Sequence, residues 1–409
     1  MPKDPINYSY TEGGVIYDFY DVFVPGDYFR TLNSLWTWGD NINGQLGINL
    51  AGSTTYRTTP VTTFAGTPDW KQIASGYGHM AGIKNDGTLW VWGYNYYGQL
   101  GNNLSGNAGI RCTPVTTFTG GTNWLQVACS HDSTAAIKTD GTLWTWGRNT
   151  NGQIGDNTTN DRCTPVTTFA GGINWSQVTC GYNNIAAIKT DGTLWTWGSN
   201  IDGQLGDNTT NDRYTPVTTF SGGTNWKQVF AGTSSYQTAA IKTDGTLWMW
   251  GNNFSGQLGI NNTVLTSCLT PITTFSGGTN WKQVSCGRNH TSAIKTDGTL
   301  WCWGSNSGNQ TATVGDNTTN DRCTPVTTFA GGTNWKQVSC GYNFNMAIKT
   351  DGTLWGWGSN YNGNLGANNT TSPICTPITT FAGGTYWRQV ACGYYHTASV
   401  QYLPDPTLG

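Results

Sequence analysis

Leu194-Trp195-Thr196-Trp197-Gly198 is one of seven copies of Leu-Trp-x-Trp-Gly, which begin at Leu35, Leu89, Leu143, Leu194, Leu247, Leu300 and Leu354, 51 to 54 residues apart. A period of this length marks a chain built from stacked copies of one supersecondary unit, so seven copies predict seven units. Outward from each copy the order is constant: a Gly-Gln-Leu-Gly-like loop, then Thr-Pro-(Val/Ile)-Thr-Thr-Phe, then Trp-x-Gln-(Val/Ile), as in Thr215 to Phe220 and Trp226 to Val229. All 21 tryptophans occupy these slots, so packing accounts for the aromatic content.

Within a repeat the runs are short, rich in β-branched and aromatic residues, and separated by Gly, Asn and Asp clusters, which is strand-and-turn chemistry. The expected fold is all-β, a seven-bladed β-propeller of four-stranded antiparallel blades. For blade three the reading gives strands at Thr164 to Phe169, Trp175 to Cys180, Ile185 to Lys189 and Leu194 to Gly198. Asp191-Gly192, between the last two, is a pair that favours a tight primed hairpin turn. It recurs at Asp86-Gly87, Asp140-Gly141, Asp244-Gly245, Asp297-Gly298 and Asp351-Gly352, six copies for seven blades. The chain ends after a strand at His396 to Gln401 and begins with an orphan strand at Leu35 to Gly39, so the two ends are expected to complete one blade and close the ring. The propeller then spans 35–401, flanked by an arm over 1–34 and a tail over 402–409.

The formal charge is −2 and only 10% of residues are charged, against about 25% in an ordinary globular chain. A balance of this kind lacks the clustered Lys/Arg footprint of a nucleic-acid binder. No stretch reaches the roughly 18 consecutive apolar residues of a membrane helix, so no membrane insertion is expected. Met1 to Arg30 shows no basic start followed by an apolar run, which reads as no secretory signal.

Trp197 to Gly206 (Trp-Gly-Ser-Asn-Ile-Asp-Gly-Gln-Leu-Gly), Pro216-Val217, and the run Cys286 to Gly304, with Cys-Gly-x-x-His leading into Ala-Ile-Lys-x-Asp-Gly-x-Leu-Trp-x-Trp-Gly, resemble the regulator of chromosome condensation repeat. The resemblance covers 35 to about 401. It implies a seven-bladed propeller, in agreement with the count above, and no particular function.

No catalytic arrangement emerges. Three of the four histidines, His79, His290 and His396, share one repeat slot, which is Asn184, Gln237 or Phe344 elsewhere; phenylalanine does no acid–base work, so the slot reads as a strand-start polar position. Nearly every Asp sits in a repeated turn. Asp156 to Asp161, Asp207 to Asp212 and Asp316 to Asp321 offer oxygen ligands but lack the spacing and glycine of a calcium loop. The chain is read as a non-enzyme, with no cofactor and no metal.

Eleven cysteines stack into five pairs, Cys112 with Cys129, Cys163 with Cys180, Cys268 with Cys286, Cys323 with Cys340, and Cys375 with Cys392, leaving Cys302 over. Two readings stay open: cross-strand disulfides of a hairpin turning at Gly-Gly, or small buried thiols copied by duplication.

The turns at Phe-Ala-Gly-Gly and Thr-Asp-Gly lie on one face and are nearly constant. The other face carries the variation and is the candidate binding face, with Tyr94, Tyr96, Tyr97, Arg148, Tyr182, Tyr236, Arg288, Tyr342, Phe344, Tyr361, Tyr394 and Tyr395. The N-terminal stretch holds Tyr17, Phe19, Tyr20, Phe23, Tyr28 and Phe29 and reads as an assembly arm. Low charge, the missing export signal, near-identical repeats and this arm point to a virion structural or adhesion protein, a bacteriophage tail, baseplate or fibre component. Its partners would be other structural proteins of the assembly and a host-surface protein or glycan, and it would be extracellular when mature. The alternatives are a bacterial surface adhesin or lectin, and an exchange-factor-like regulatory scaffold.

Overall fold

In the computed structural model, which describes residues 8–12, 15–19, 32–64, 68–262, 264–307 and 311–403, the chain forms seven four-stranded antiparallel sheets. Blade three consists of Trp175–Cys180, Asn184–Lys189, Leu194–Gly198 and Arg213–Thr218, in that order from first to last. The Thr-Pro-Val strand therefore ends a blade instead of opening the next: Arg162–Thr167 pairs with Leu143–Gly147 of blade two. The sequence pattern cuts the cycle one strand too early, because a repeat fixes the period but not its starting point.

Counting from Trp70, blades one to six follow in chain order. Blade seven joins Trp387–Cys392 and His396–Leu403 to Leu32–Gly39 and Arg57–Thr62, so each terminus supplies two strands. Eight residue pairs run between His396–Leu403 and Leu32–Gly39. This closes the ring and removes open sheet edges.

The Asp-Gly turns differ from the primed type. Gly192 has φ +78° while Asp191 stays outside the left-handed region, so the loop is a type I turn closed by a glycine in αL, the three-residue hairpin solution. Asp191 Oδ1 accepts both the Thr193 N–H (2.9 Å) and the Thr193 hydroxyl (2.7 Å), which fixes the Asp as firmly as the Gly.

Each tryptophan slot has its own partner. The second Trp of every Leu-Trp-x-Trp-Gly is fully buried and donates Nε1–H to a main-chain oxygen in the loop of the preceding blade, as Trp250 does to Gln204 O at 2.9 Å. That is why the loop reads Gly-Gln-Leu-Gly: Leu205 fills the core, and a Cβ at Gly206 would stand 2.8 Å from Trp250 Nε1. The first Trp packs a lysine, with Lys189 Nζ 4.5 Å from the Trp195 centroid and 4.8 Å from Trp175.

The cysteine pairs separate. Cys112 lies on the last strand of blade one and Cys129 on the first strand of blade two, and all eleven cysteines are free. No hairpin joins the two strands, so the cross-strand register that the disulfide reading needs does not form. The same separation holds for Cys163/Cys180, Cys268/Cys286, Cys323/Cys340 and Cys375/Cys392. The inner thiols bond main chain of the neighbouring blade, as Cys340 Sγ does to Ser285 O (3.2 Å) and Cys392 Sγ to Ser339 O (3.3 Å).

A hairpin of Tyr8–Glu12 with Val15–Phe19 precedes the propeller. Tyr17 and Phe19 fall on it, whereas Tyr20, Phe23, Tyr28 and Phe29 lie outside the described residues.

Candidate protein-interaction face

The first strand of every blade lines the central channel, a space of about 230 Å³ bordered by Ala128, Thr179, Ser285, Ser339 and, alone among aromatics, Phe230. The turn after that strand points at one mouth of the channel, and its variable residues meet there. Tyr77 stacks on His131 (4.1 Å between centroids) and packs edge-on to Tyr394 (4.7 Å). His131 contacts Tyr182 (4.6 Å), and Tyr182 contacts Tyr236 (5.0 Å). On the other side Tyr394 lies 4.0 Å from Tyr342, and Tyr395 packs against both. Arg288 covers Tyr342 at 4.7 Å. These side chains form a horseshoe, each half-buried by its neighbours except the exposed Arg288.

Burial pushes the Tyr236 and Tyr395 hydroxyls up to about 12 and raises Tyr77 and Tyr394. At neutral pH all four are therefore protonated donors.

Outside the horseshoe a second cluster forms. Tyr94 stacks with Tyr96 (6.3 Å), Tyr96 meets Tyr97 (5.1 Å), and Arg148 lies over Tyr97 at 4.8 Å. Arg148 also reaches Asp132, a buried carboxylate held by His131 Nδ1 at 2.9 Å. Tyr361 is 45% exposed and stands apart in the loop of blade six. Phe344 leaves the candidate face altogether: it is fully buried in the core with Trp38 and Leu365.

Phe344 occupies the shared histidine slot, and the histidines there are equally buried. Desolvation lowers His79 and His290 to about 4 and His396 to about 3, so all three are neutral at pH 7. His79 Nε2 sits 3.0 Å from Thr134 Oγ1 and His290 Nε2 3.1 Å from Asn345 Oδ1, each across a blade joint. They are structural. The acidic loops are likewise internally paired, with Asp207 Oδ2 accepting from Arg213 Nε at 2.7 Å and Asp212 Oδ1 from the Asn200 N–H at 2.8 Å.

Sequence reading misses His131 and Asp132, which become visible only when the turn residues are aligned by position rather than by type. It also leaves the Gln of Trp-x-Gln unexplained. In blade three Gln177 Nε2 donates to Val229 O (3.3 Å) and Gln177 Oε1 accepts from the Val229 N–H (2.9 Å), a two-bond clamp on the next blade.

Propeller architecture, seven near-identical units and a variable mouth define a repeat scaffold, and comparison with known proteins places it. The regulator of chromosome condensation (RCC1) repeat model matches 33–83, 86–137 and 140–188, and the RCC1-like domain model matches 166–401. The chain belongs to the regulator of chromosome condensation repeat family. It is 32% identical over 336 residues to the Ultraviolet-B receptor UVR8 of Arabidopsis thaliana, covering 80% of this chain and 74% of that protein. It is 27% identical over 336 residues to Protein pim1 of Schizosaccharomyces pombe, covering 75% of this chain and 62% of that protein. Human E3 ubiquitin-protein ligase HERC2 matches at 26% over 372 residues, but the match covers 8% of HERC2, so the ligase name does not transfer. Among solved structures, yeast RCC1 (Prp20) bound to Kap60 superposes with a TM-score of 0.79 at 18% identity, covering 92% of this chain and 90% of that one.

These relatives are cellular proteins of a plant, a yeast and an animal, which overturns the expectation of a virion component. The phage-tail role, the assembly partners and the virion location fall together. In sequence, near-identity of the blades looks like the mark of a uniform array. The packing gives another reason for it: every joint repeats the same Trp bond and most repeat the same Gln bonds, so each blade must keep the same residues to fit its neighbours. Among the described residues no helix is long and apolar enough to cross a membrane.

Proposed function

We propose that the chain is a non-enzymatic regulatory scaffold, of the exchange-factor-like kind, whose mouth-side face binds a protein partner. The observation that carries this reading is the horseshoe from Tyr236 through Tyr182, His131, Tyr77 and Tyr394 to Tyr342 and Arg288. Rigid Tyr and Arg side chains on a closed scaffold supply contact area at low entropic cost. A structure of yeast Prp20p, superposing at a TM-score of 0.78, is described together with binding to Gsp1p and histones, which makes these the first partners to try.

The test is surface plasmon resonance of the purified chain against Gsp1p and core histones. Saturable binding of either, weakened on the order of tenfold or more by Tyr182→Ser and Tyr394→Ser, supports the reading. No saturable binding of either, or binding indifferent to both substitutions, overturns it.

A further inference from the structure

The horseshoe has one gap, between Tyr236 and Arg288, and it coincides with the one blade joint that is built differently. At six joints a glutamine of the first strand clamps the next blade; at the joint between blades four and five Gln228 Oε1 is buried and without a partner. The turn leading to Tyr236 is also longer there: Ala231 to Gln237 spans two residues more than Cys180 to Asn184. Within that turn Ser234 Oγ and, at its end, Gln237 Oε1 are unpartnered on residues only 2% and 1% exposed. The missing clamp and the lengthened turn together set this joint apart from the other six.

Arg288 stands on the far lip of the gap. It is exposed, stacked on Tyr342, and its N–H donates to Tyr342 O at 3.2 Å. None of the five ion pairs among the described residues includes it. Arg148, which lies over Tyr97 in the second tyrosine cluster, is already committed to Asp132. A guanidinium fixed by a ring face, with tyrosine hydroxyls as additional donors around it, is complementary to a carboxylate.

We infer that the notch between Tyr236 and Arg288 is the recognition point of this face, and that its occupant is a protein loop presenting an acidic side chain to Arg288. The carboxylate takes the guanidinium, and the half-buried tyrosines of the horseshoe supply the contact surface around it. This rests on the mouth side being a protein-binding face.

The experiment titrates the full chain with a hexaglutamate peptide, with hexaglutamine as the neutral control, by calorimetry. The notch predicts that hexaglutamate binds, that hexaglutamine binds at least tenfold more weakly, and that Arg288→Gln reduces hexaglutamate affinity at least tenfold. Arg388→Gln, which removes another ring-stacked arginine 4.2 Å from Tyr402, leaves the affinity within twofold. Arg288 is exposed, so an unchanged melting curve of the variant establishes that it folds. No hexaglutamate binding, equal binding of the two peptides, or equal loss in both arginine variants overturns the inference. If Gsp1p or histones bind in a Tyr182-dependent but Arg288-independent way, the face stands and the notch falls. If neither residue matters, both fall.

Discussion

Six of the seven blade joints are closed by the same device, and the joint between blades four and five is not. At the six, from Gln72 to Gln389, the amide donates to the next blade's Val or Ile oxygen at 3.1–3.4 Å and accepts from its N–H at 2.9–3.2 Å. At the seventh, Gln228 Oε1 has no partner, while Gln237, in the slot that holds His79 and His290 in other blades, donates to Gly287 O and His290 O at 3.0 and 3.3 Å. The comparison separates two roles that near-identical repeats would hide. Uniform joints hold the ring, and the exceptional one sits where the chain of ring contacts around the mouth breaks, between Tyr236 and Arg288.

The largest expected effect breaks the uniform joints by pH. His79, His290 and His396 are held neutral by desolvation, with values of about 4, 4 and 3. Below about 6.5 the unfolded chain takes up protons that the folded chain refuses, so stability is full above that pH and is lost as it falls towards 4. The loss is on the order of 3 kcal/mol per histidine. Urea midpoints at pH 7.5 and 4.5 measure it, and His396→Phe, which copies the natural Phe344 of the same slot, should remove about a third of the difference. A midpoint that does not move refutes the burial argument.

Next in size is the clamp itself. Gln177→Ala leaves the Val229 N–H and C=O unpaired at a residue that is fully buried, a cost of about 2–4 kcal/mol. Gln228→Ala removes no such pair and should cost no more than about 0.5 kcal/mol. Equal losses in chemical denaturation would erase the distinction between the joints. Without altering the sequence, hydrogen exchange sharpens the same contrast: the Val284 amide, beside the unclamped Gln228, should exchange on the order of fivefold faster than Val229.

The smallest effect concerns the Trp–Lys–Trp sandwich, which ignores the joints. Lys189→Met should cost about 0.5–1 kcal/mol, and the same change at Lys242, in the blade with the open joint, should cost as much. A larger loss at Lys242 would mean that the irregularity spreads into the body of the blade.

Much of the fold was legible because each signal was local. Alternating β-branched and aromatic runs, Asp-Gly turns and the Leu-Trp-x-Trp-Gly period gave seven blades and a ring closed by both termini. The division into a constant and a variable face followed from strand alternation alone. Less of the site was legible. Tyr182, Tyr236, Arg288, Tyr342, Tyr394 and Tyr395 do converge at the mouth, but Phe344 turns inward, and His131 escaped notice because it differs in type from the tyrosines it aligns with. The Phe that ends Thr-Pro-Val-Thr-Thr-Phe reads as a strand residue, yet Phe64, Phe118, Phe169, Phe220, Phe275, Phe329 and Phe381 are 64–70% exposed.

What the sequence determined by itself was therefore number and period: seven units, their strands and their turns, all set by interactions within about fifty residues. Where the cycle is cut into blades was decided only by tertiary structure, because a repeat pattern is unchanged by rotating its starting point, while strand pairing is not. The same holds for the thiols, which the cut assigns to different sheets, and for the mouth. Whether seven turn residues face solvent or one another depends on the closure of the ring, and no single repeat carries that information.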